Sequence, residues 1–178
     1  MDIQPLIDIP EVKPAIEQIR GAWYRKMSPK RRHSLAQSRM ATVLTEWAGD
    51  RGEVGTEWRC YFFPSNEAAT SLVADVSYFS FERLPLHLGE RREQPTIAPD
   101  IAVEILSPDD SRKRLHEKIG LYFTFGARAV LVVDPAEGTF VSHDTTGEAR
   151  TYRRGDIPKF APYPDLCIDL DELFRNLA

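Results

Sequence analysis

A carboxylate within an apolar strand is the first feature of the sequence that could do chemistry. In "IAPDIAVEILSP", residues 97–108, β-branched residues alternate with Ala102, Glu104 and Leu106, and this period of two predicts a strand with two different faces. Glu104 therefore lies on a face that is otherwise apolar. Because an unpaired carboxylate is costly to bury, we expect a cation to meet Glu104.

Lys118 is the candidate for that cation. It shares one helical stripe, at spacings of three and four residues, with Leu115 and Tyr122, and this stripe is expected to face the core. The predicted helix directly follows the Glu104 strand, so packing it on the sheet can bring the ammonium group to the carboxylate. The alternative is that Lys118 buries only its stem and directs its charge to water.

A second acid comes from the preceding strand, "LVADVSYF". Antiparallel pairing of the two strands places Asp75 near Glu104, whereas Asp100 lies nearer Phe79. Asp100 and Glu104 are separated by about 13 Å at the rise of a strand, which is too far for one metal ion. Asp75 is therefore the better partner of Glu104 in a metal site.

Two carboxylates and a lysine at one edge of a sheet have a recurrent chemical use. The carboxylates hold Mg²⁺, which polarises a phosphodiester and acidifies the attacking water, while the ammonium orients that water or offsets charge on phosphorus. A structural alternative needs the same residues in the same places. In that alternative Glu104 and Lys118 form a buried ion pair without catalysis.

Alternating strands and helices must position these side chains. Strands are predicted on both sides of Gly21 within 14–27 and over 52–64, 71–81, 97–108, 128–135, 139–144 and 148–154; helices are predicted over 28–49 and 107–126, and a short strand and short helix within 166–177. This order predicts one α/β domain over residues 1–178, with a mixed sheet flanked by helices.

The ends of the two main helices carry capping signals. Ser28 is a plausible N-cap of the first helix, and Gly49 can close it. Ser107 stands at the head of the second helix, with acids at 109–110 in its first turn, where the helix dipole favours anions. Gly126 follows its end.

The composition excludes several classes of protein. With 178 residues and 42% hydrophobic residues, the chain can bury a sizeable core. No apolar run approaches the ~20 residues of a membrane span, and the first 13 residues lack the pattern of a signal peptide, so we expect a cytoplasmic protein. Cys60 and Cys167 lie in apolar segments without metal spacing, which indicates core residues rather than a disulfide or zinc site.

A formal net charge of −4 argues against a protein that holds nucleic acid through overall positive charge. Local basic runs nevertheless occur at two places, and each is either a nucleic-acid surface or an ordinary solvated face. The runs comprise Arg25, Lys26, Lys30, Arg31, Arg32 and Arg39, and Arg112, Lys113 and Arg114.

Several of these motifs together resemble the Uma2 family of endonucleases, which belongs to the PD-(D/E)XK restriction endonuclease-like superfamily. The resemblance covers nearly the whole chain and is carried by "EQIRGAWYRKMSP", His33, "ADVSYF", "PDIAVEILSP", "EKIGLYFTFGA", "VVDP" and "PDLCIDLDELF". The most characteristic of these is "PDIAVEILSP", followed at this spacing by "EK" and "LY".

The resemblance implies a restriction endonuclease-like fold and a Mg²⁺- or Mn²⁺-dependent endonuclease that acts on nucleic acid, with DNA as the expected substrate. Asp75 and Glu104 would bind the metal, and Lys118 would be the catalytic lysine. The superfamily's usual lysine stands two residues after the glutamate, where this chain has Leu106, so the lysine has to come from the helix. The alternative function is a catalytically inactive nucleic-acid binding or assembly protein that retains the fold.

The sequence also leads to expectations for His33, Glu17 and the oligomeric state. His33 lies on an inward helical stripe and is expected to be a hydrogen-bonded structural residue, with contact to a phosphate or a metal-bound water as the alternative. Glu17 is either a further acid near the metal or a solvent-facing hairpin residue. A homodimer is expected because a nuclease with one site per chain cuts both strands of a duplex most directly as a symmetric pair. The apolar stretch 78–88 is a candidate interface.

Overall fold

The computed structural model describes residues 13–65 and 67–177. Its strands are β1 (Ile16–Ile19), β2 (Ala22–Arg25), β3 (Gly52–Thr56), β4 (Arg59–Phe62), β5 (Thr70–Val73), β6 (Val76–Ser80), β7 (Ile101–Ile105), β8 (Ala129–Asp134), β9 (Thr139–Asp144) and β10 (Ala149–Tyr152). Its α-helices are α1 (Arg31–Ala48), α2 (Arg112–Thr124) and α3 (Leu170–Leu173), and a 3-10 helix spans Leu86–Arg92. The predicted order of elements is confirmed for both main helices and for the hairpins.

The larger sheet has six strands in the order β10-β9-β8-β7-β6-β3. Strands β7 and β8 are parallel and are connected through α2, whereas the other pairs are antiparallel. This arrangement confirms the predicted mixed sheet. Ile101 and Val103 of β7 join one core with α1 and α3, whereas Ala102 joins a second core with Tyr122 of α2. The period-two pattern of β7 thus reflects two different packing partners.

A second, four-stranded sheet in the order β2-β1-β5-β4 was not anticipated. The two long strands predicted over 52–64 and 71–81 are each broken, the first at residues 57–58 and the second at 74–75. The two broken strands pair with each other and pass from one sheet to the other side by side. At this point the Glu57 amide donates to the Asp75 carbonyl at 3.3 Å. Asp75 therefore lies in the bend between the two sheets.

The β1–β2 hairpin is attached to this bend. Arg20 and Gly21 connect its strands with φ values of 49° and 83°, as the two central residues of a type I′ turn require. Gln18 pairs with Ser71 of β5, and the Lys26 amide donates to Ala15 at 2.8 Å and extends the hairpin. The side chains of this hairpin consequently reach the break between β5 and β6.

The helices begin later than predicted and end where predicted. The N-cap of α1 is Lys30 rather than Ser28, because Lys26 still pairs in the hairpin and the chain needs the following residues to turn. The N-cap of α2 is Ser111, so the acids at 109–110 precede the helix. Gly49 and Gly126 both follow the helix ends at positive φ.

The C-terminal segment contains α3, but the predicted short strand before it is absent from the described residues. Arg39 donates from α1 to the carbonyl oxygens of Leu173 and Arg175 at 2.9 and 2.7 Å, so this segment is held by a side chain instead of a sheet. Leu166 and Ile168 face the core. Their alternation turns Cys167 outward, which corrects the expectation that it is a core residue.

Cys60 is buried, and both cysteines are free. Three residues of the stretch 78–88 are buried, because Tyr78, Phe79 and Leu84 belong to the two cores. Leu86 is exposed at 58% and Phe81 and Leu88 are half-buried, so the apolar surface of this stretch is smaller than its sequence suggests. Within the described ranges, no helix has the length and apolar character needed to cross a membrane.

Candidate active site

Asp75 and Glu104 are brought to adjacent positions at the bend between the sheets. Strand β6 pairs with β7 so that Val76 lies opposite Val103, and the Asp75 amide donates to the Val103 carbonyl at 3.0 Å. Continuing this register by one residue sets Asp75 opposite Glu104, as the antiparallel pairing predicted. Both side chains are buried, so each needs partners within the protein.

Glu104 receives both of its partners from one face of α2. Lys118 Nζ donates to Glu104 Oε2 at 2.7 Å, and the Tyr122 hydroxyl donates to Oε1 at 2.6 Å. Lys118 is only 5% exposed, so the alternative in which its charge reaches water is wrong. The predicted ion pair is therefore present. Tyr122 is an additional partner, since its place on the helical stripe indicated packing alone.

Glu17 is the second acid that contacts Lys118. Its Oε1 lies 2.8 Å from Lys118 Nζ and accepts a hydrogen bond from the Val73 amide at 2.9 Å. With an exposure of 3%, Glu17 is not a solvent-facing hairpin residue, and this alternative is wrong. Lys118 therefore bridges two carboxylates that come from different sheets.

Asp75 has its own lysine, which no sequence pattern placed in the site. Lys26 Nζ donates to Asp75 Oδ1 at 2.6 Å and to the Val73 carbonyl at 2.9 Å. The Ile105 amide donates to the other oxygen of Asp75 at 2.6 Å. Lys26 follows the last residue of β2 in a segment without regular periodicity, so nothing in the sequence indicated which way its side chain points.

His33 lies inward on the first turn of α1, as predicted. Its Nε2 is 3.4 Å from Asp75 Oδ1, whereas its buried Nδ1 has no hydrogen-bond partner in the described part of the chain. The contact with Asp75 supports the structural role. The imidazole also lines the cleft above the carboxylates, which keeps the second role open to test.

Electrostatics sets the protonation states of the cluster. Burial alone would raise the pKa of Asp75, but the Lys26 ammonium and the His33 hydrogen bond hold this pKa well below its ordinary value. Burial would lower the pKa of Lys118, yet Glu104 and Glu17 keep it above its ordinary value. Burial raises the pKa of Glu104 in spite of Lys118. At neutral pH the site thus contains an ionised Asp75 and a charged Lys118.

A small cleft of about 60 Å³ opens over this cluster. It is lined by the three acids and both lysines, which lie deeper, and by the more exposed Arg25 and Arg114. Since about 10–15 Å³ of such a cavity is enough for one water molecule, the cleft can hold an ion with a few waters. A phosphate group would have to approach the carboxylates from the mouth of the cleft.

The donor set fits Mg²⁺ in its chemistry. Asp75 and Glu104 offer carboxylate oxygens from facing positions, and Mg²⁺ is commonly bound through one or two carboxylates while it keeps several waters. No group of three or more histidine, cysteine, aspartate or glutamate side chains in residues 13–65 and 67–177 is arranged to hold a metal ion. A metal at this site would therefore rest on the two carboxylates, with main-chain carbonyl oxygens and water as further ligands.

Asp100 is not brought into the cluster. It accepts hydrogen bonds from the amide and the hydroxyl of Ser80 at 2.9 and 3.0 Å, and the guanidinium groups of Arg83 and Arg128 lie 3.4 and 3.5 Å away. These contacts make Asp100 a buried link between β6, β7 and the following loops. The acid of "PDIAVEILSP" that stands four residues before Glu104 is structural in this fold.

Comparisons with known proteins give a matching family model and similar solved structures. A family model named Uma2, with the description "Putative restriction endonuclease", matches residues 4–159. A crystal structure described as "a putative nuclease belonging to DUF820" from Anabaena variabilis has a TM-score of 0.83 and 28% sequence identity, and the match covers 96% of this chain and 95% of that chain. A search of curated proteins found no match.

Proposed function

Because the chain belongs to the Uma2 family, whose model carries the description "Putative restriction endonuclease", we propose that it is a metal-dependent endonuclease that hydrolyses phosphodiester bonds of nucleic acid, with DNA as the expected substrate. The observation that carries this proposal is the buried cluster in which Asp75 and Glu104 face each other beside a charged Lys118. The proposed ion is Mg²⁺ or Mn²⁺.

In this proposal Asp75 and Glu104 hold the ion, which when bound supplies Lewis acidity toward a phosphodiester oxygen and lowers the pKa of water. Lys118 has three N–H donors, of which two are directed to Glu104 and Glu17. The third is available to a water or phosphate oxygen in the cleft. The ammonium therefore orients Glu104 and offsets negative charge that develops on phosphorus.

The mouth of the cleft supports contact with a phosphate backbone. Arg25 and Lys26 of the first basic run and Arg114 of the second line the cleft, so the two basic runs of the sequence meet there. Arg114 places its guanidinium 4.3 Å from the centroid of the Tyr24 ring, and it lines the cleft together with Arg25. Arginine and lysine side chains around the cleft favour contacts with the phosphate backbone, which position a nucleic acid without reading its sequence.

The competing proposal is a nucleic-acid binding or assembly protein without catalysis. It is favoured by the same cluster, since every carboxylate in it already has a cationic partner and needs no metal. Incubating plasmid, single-stranded DNA and RNA with the purified protein and Mg²⁺ or Mn²⁺ separates the two proposals. Cleavage must disappear in Glu104→Ala; cleavage that persists unchanged in this variant comes from a contaminant and removes the enzyme proposal.

Removing one cation from the mouth should weaken nucleic-acid binding in a salt-dependent way. In a Glu104→Gln background, which blocks cleavage, Arg114→Ala and Arg25→Ala should each lower the affinity and reduce the slope of log K against log salt by about 1 for each phosphate that the variant no longer neutralises. Fluorescence anisotropy over a series of salt concentrations measures both quantities. Arg91→Ala, an exposed arginine of the 3-10 helix outside the cleft, is the matched control, and equal slopes in all variants would contradict the proposed binding of phosphates at the mouth.

We keep the homodimer as a proposal, because a nuclease with one site per chain cuts both strands of a duplex most directly as a symmetric pair. Within the stretch 78–88, Leu86 is exposed and Phe81 and Leu88 are half-buried, so these are the apolar side chains that it offers to an interface. Light scattering across micromolar concentrations should give twice the mass of 20.3 kDa, and a monomer throughout that range would defeat the proposal. A cytoplasmic location remains proposed on sequence grounds alone.

A further inference from the structure

The Lys26 ammonium group contacts two oxygen atoms that could also bind a metal ion. It contacts one oxygen of Asp75 at 2.6 Å and the main-chain carbonyl of Val73 at 2.9 Å. Val73 is the last residue of β5, and Asp75 lies in the break before β6, where the chain changes sheets. A carboxylate and a carbonyl oxygen are also the donors that hard divalent ions prefer. Lys26 thus fills, with a side chain, a position that suits a metal ion.

Lys26 is held less firmly than Lys118. The side chain of Lys118 is 6% exposed, projects from a helix and is shared by two carboxylates, so its departure would leave two buried acids without a cation. The side chain of Lys26 is 13% exposed and contacts a single carboxylate. It follows β2, and residues 26–30 form no regular element. A flexible four-carbon stem at this position can swing toward the mouth of the cleft.

The charges of the cluster favour exchange of Lys26 for a divalent ion. Glu17, Asp75 and Glu104 are its acids, and Lys26 and Lys118 are its lysines. With all five ionised, three carboxylates and two ammonium groups leave a formal charge of −1. A divalent ion added beside Lys26 would reverse this charge to +1, whereas a divalent ion in place of Lys26 would bring it to zero. Exchange leaves no excess charge in a buried region, where excess charge is costly.

We propose that Lys26 is a resident cation of the metal site: it neutralises Asp75 while no ion is bound, and a divalent ion enters by displacing its ammonium group. This inference rests on the proposed metal site and deepens it. Lys26 is then a competitor of the metal, which lowers the affinity of the site and restricts it to conditions in which divalent ions are abundant. The displaced ammonium moves to the mouth, beside Arg25 and Arg114, where a phosphate would meet it.

Competition predicts that removing the ammonium strengthens metal binding. Lys26→Met should bind Mn²⁺ about tenfold more tightly than the parent protein, which corresponds to about 1.4 kcal/mol. Lys26→Arg should bind Mn²⁺ more weakly than the parent, because the guanidinium can make two parallel hydrogen bonds to Asp75 and is harder to displace. Electron paramagnetic resonance of free Mn²⁺ in a titration gives each affinity without any nucleic acid. Lys159→Met, an exposed lysine outside the cleft, should match the parent.

Thermal melts supply a second readout. Without metal, Lys26→Met should melt below the parent because Asp75 loses its partner; with saturating Mn²⁺ its melting temperature should rise by more than that of the parent. If Lys26→Met does not fold, Lys26→Gln tests the same point, because it removes the charge and retains a hydrogen-bond donor.

The outcomes separate this inference from the proposed function. Suppose that Glu104→Gln abolishes Mn²⁺ binding while Lys26→Met binds Mn²⁺ as tightly as the parent or more weakly. That result would support the metal site and contradict the displacement of Lys26 by a metal. Absence of Mn²⁺ binding in every variant, or binding that Glu104→Gln leaves unchanged, overturns the metal site and the role of Lys26 together. Tighter binding in Lys26→Met and weaker binding in Lys26→Arg support both.

Discussion

Replacing Lys118 with methionine should lower the free energy of unfolding by about 3–5 kcal/mol, the usual effect of removing one partner of a buried ion pair. Lys118 is the cation shared by Glu17 and Glu104, at 2.8 and 2.7 Å. Methionine fills a similar volume but leaves two buried carboxylates facing each other. Urea denaturation followed by circular dichroism at neutral pH, without added metal, measures the loss. Lys113→Met, at an exposed position of the same helix, should change stability by no more than about 0.5 kcal/mol.

A rescue experiment shows whether charge or packing causes the loss. In the triple variant Lys118→Met, Glu17→Gln and Glu104→Gln, the uncompensated charges are gone, so most of the stability should return. A loss of packing would remain in the triple variant. A single Lys118→Met variant that unfolds within about 1 kcal/mol of the parent would show that the buried pair contributes little, in contrast to the magnitude expected for such a pair.

The sequence identified Glu104 and Lys118 because each interrupts a regular apolar pattern, and it identified Asp75 through the pairing of two strands. Glu104 breaks a period-two apolar face, Lys118 breaks a helical stripe, and antiparallel pairing of two recognisable strands sets Asp75 opposite Glu104. These arguments need only local periodicity and one neighbouring pair of strands. The mixed sheet of the fold was predictable on the same grounds.

Other parts of the site depend on contacts between distant segments. Glu17 could have faced water or protein, and its burial is decided by the pairing of β1 with β5, which lies far along the chain. The position of Lys26 depends on the hairpin continuing to Ala15. The bend at Asp75 exists because two strands change sheets together. Asp75 is of a residue type that is depleted in strands, but one such residue among the apolar side chains of 71–81 does not distinguish a break from a continuous strand.

The network also explains why stability and catalysis compete at this site. Each lysine that stabilises the metal-free protein contacts an acid that a metal would need, namely Asp75 for Lys26 and Glu104 for Lys118. Each of the three acids of the cluster is therefore paired with a lysine in the metal-free protein. For a variant of Glu104, folding stability and metal binding must therefore be measured separately, because the two effects have different causes.

Glu104→Gln should reduce cleavage of DNA by at least about a thousandfold, since loss of metal binding removes several kcal/mol of transition-state stabilisation and each 1.36 kcal/mol changes the rate about tenfold. The fold should tolerate this change better than Lys118→Met. Lys118 keeps Glu17 as its counter-ion, and the Tyr122 hydroxyl can still donate to the amide oxygen. Burial raises the pKa of Glu104, so the neutral amide also avoids the cost of keeping a buried charge.

The metal response of thermal stability decides whether Glu104 acts through an ion. Mg²⁺ or Mn²⁺ should raise the melting temperature of the parent far more than that of Glu104→Gln, because only a protein that binds the ion in its folded state gains stability from it. Glu46→Gln, an exposed position on α1, is a suitable control. Asp100→Asn is not, since Asp100 is buried and holds Ser80, Arg83 and Arg128, so its loss would perturb the fold itself. An equal response of the parent and Glu104→Gln would leave Glu104 as a structural partner of Lys118, because an ion bound through its carboxylate must respond to the loss of that carboxylate.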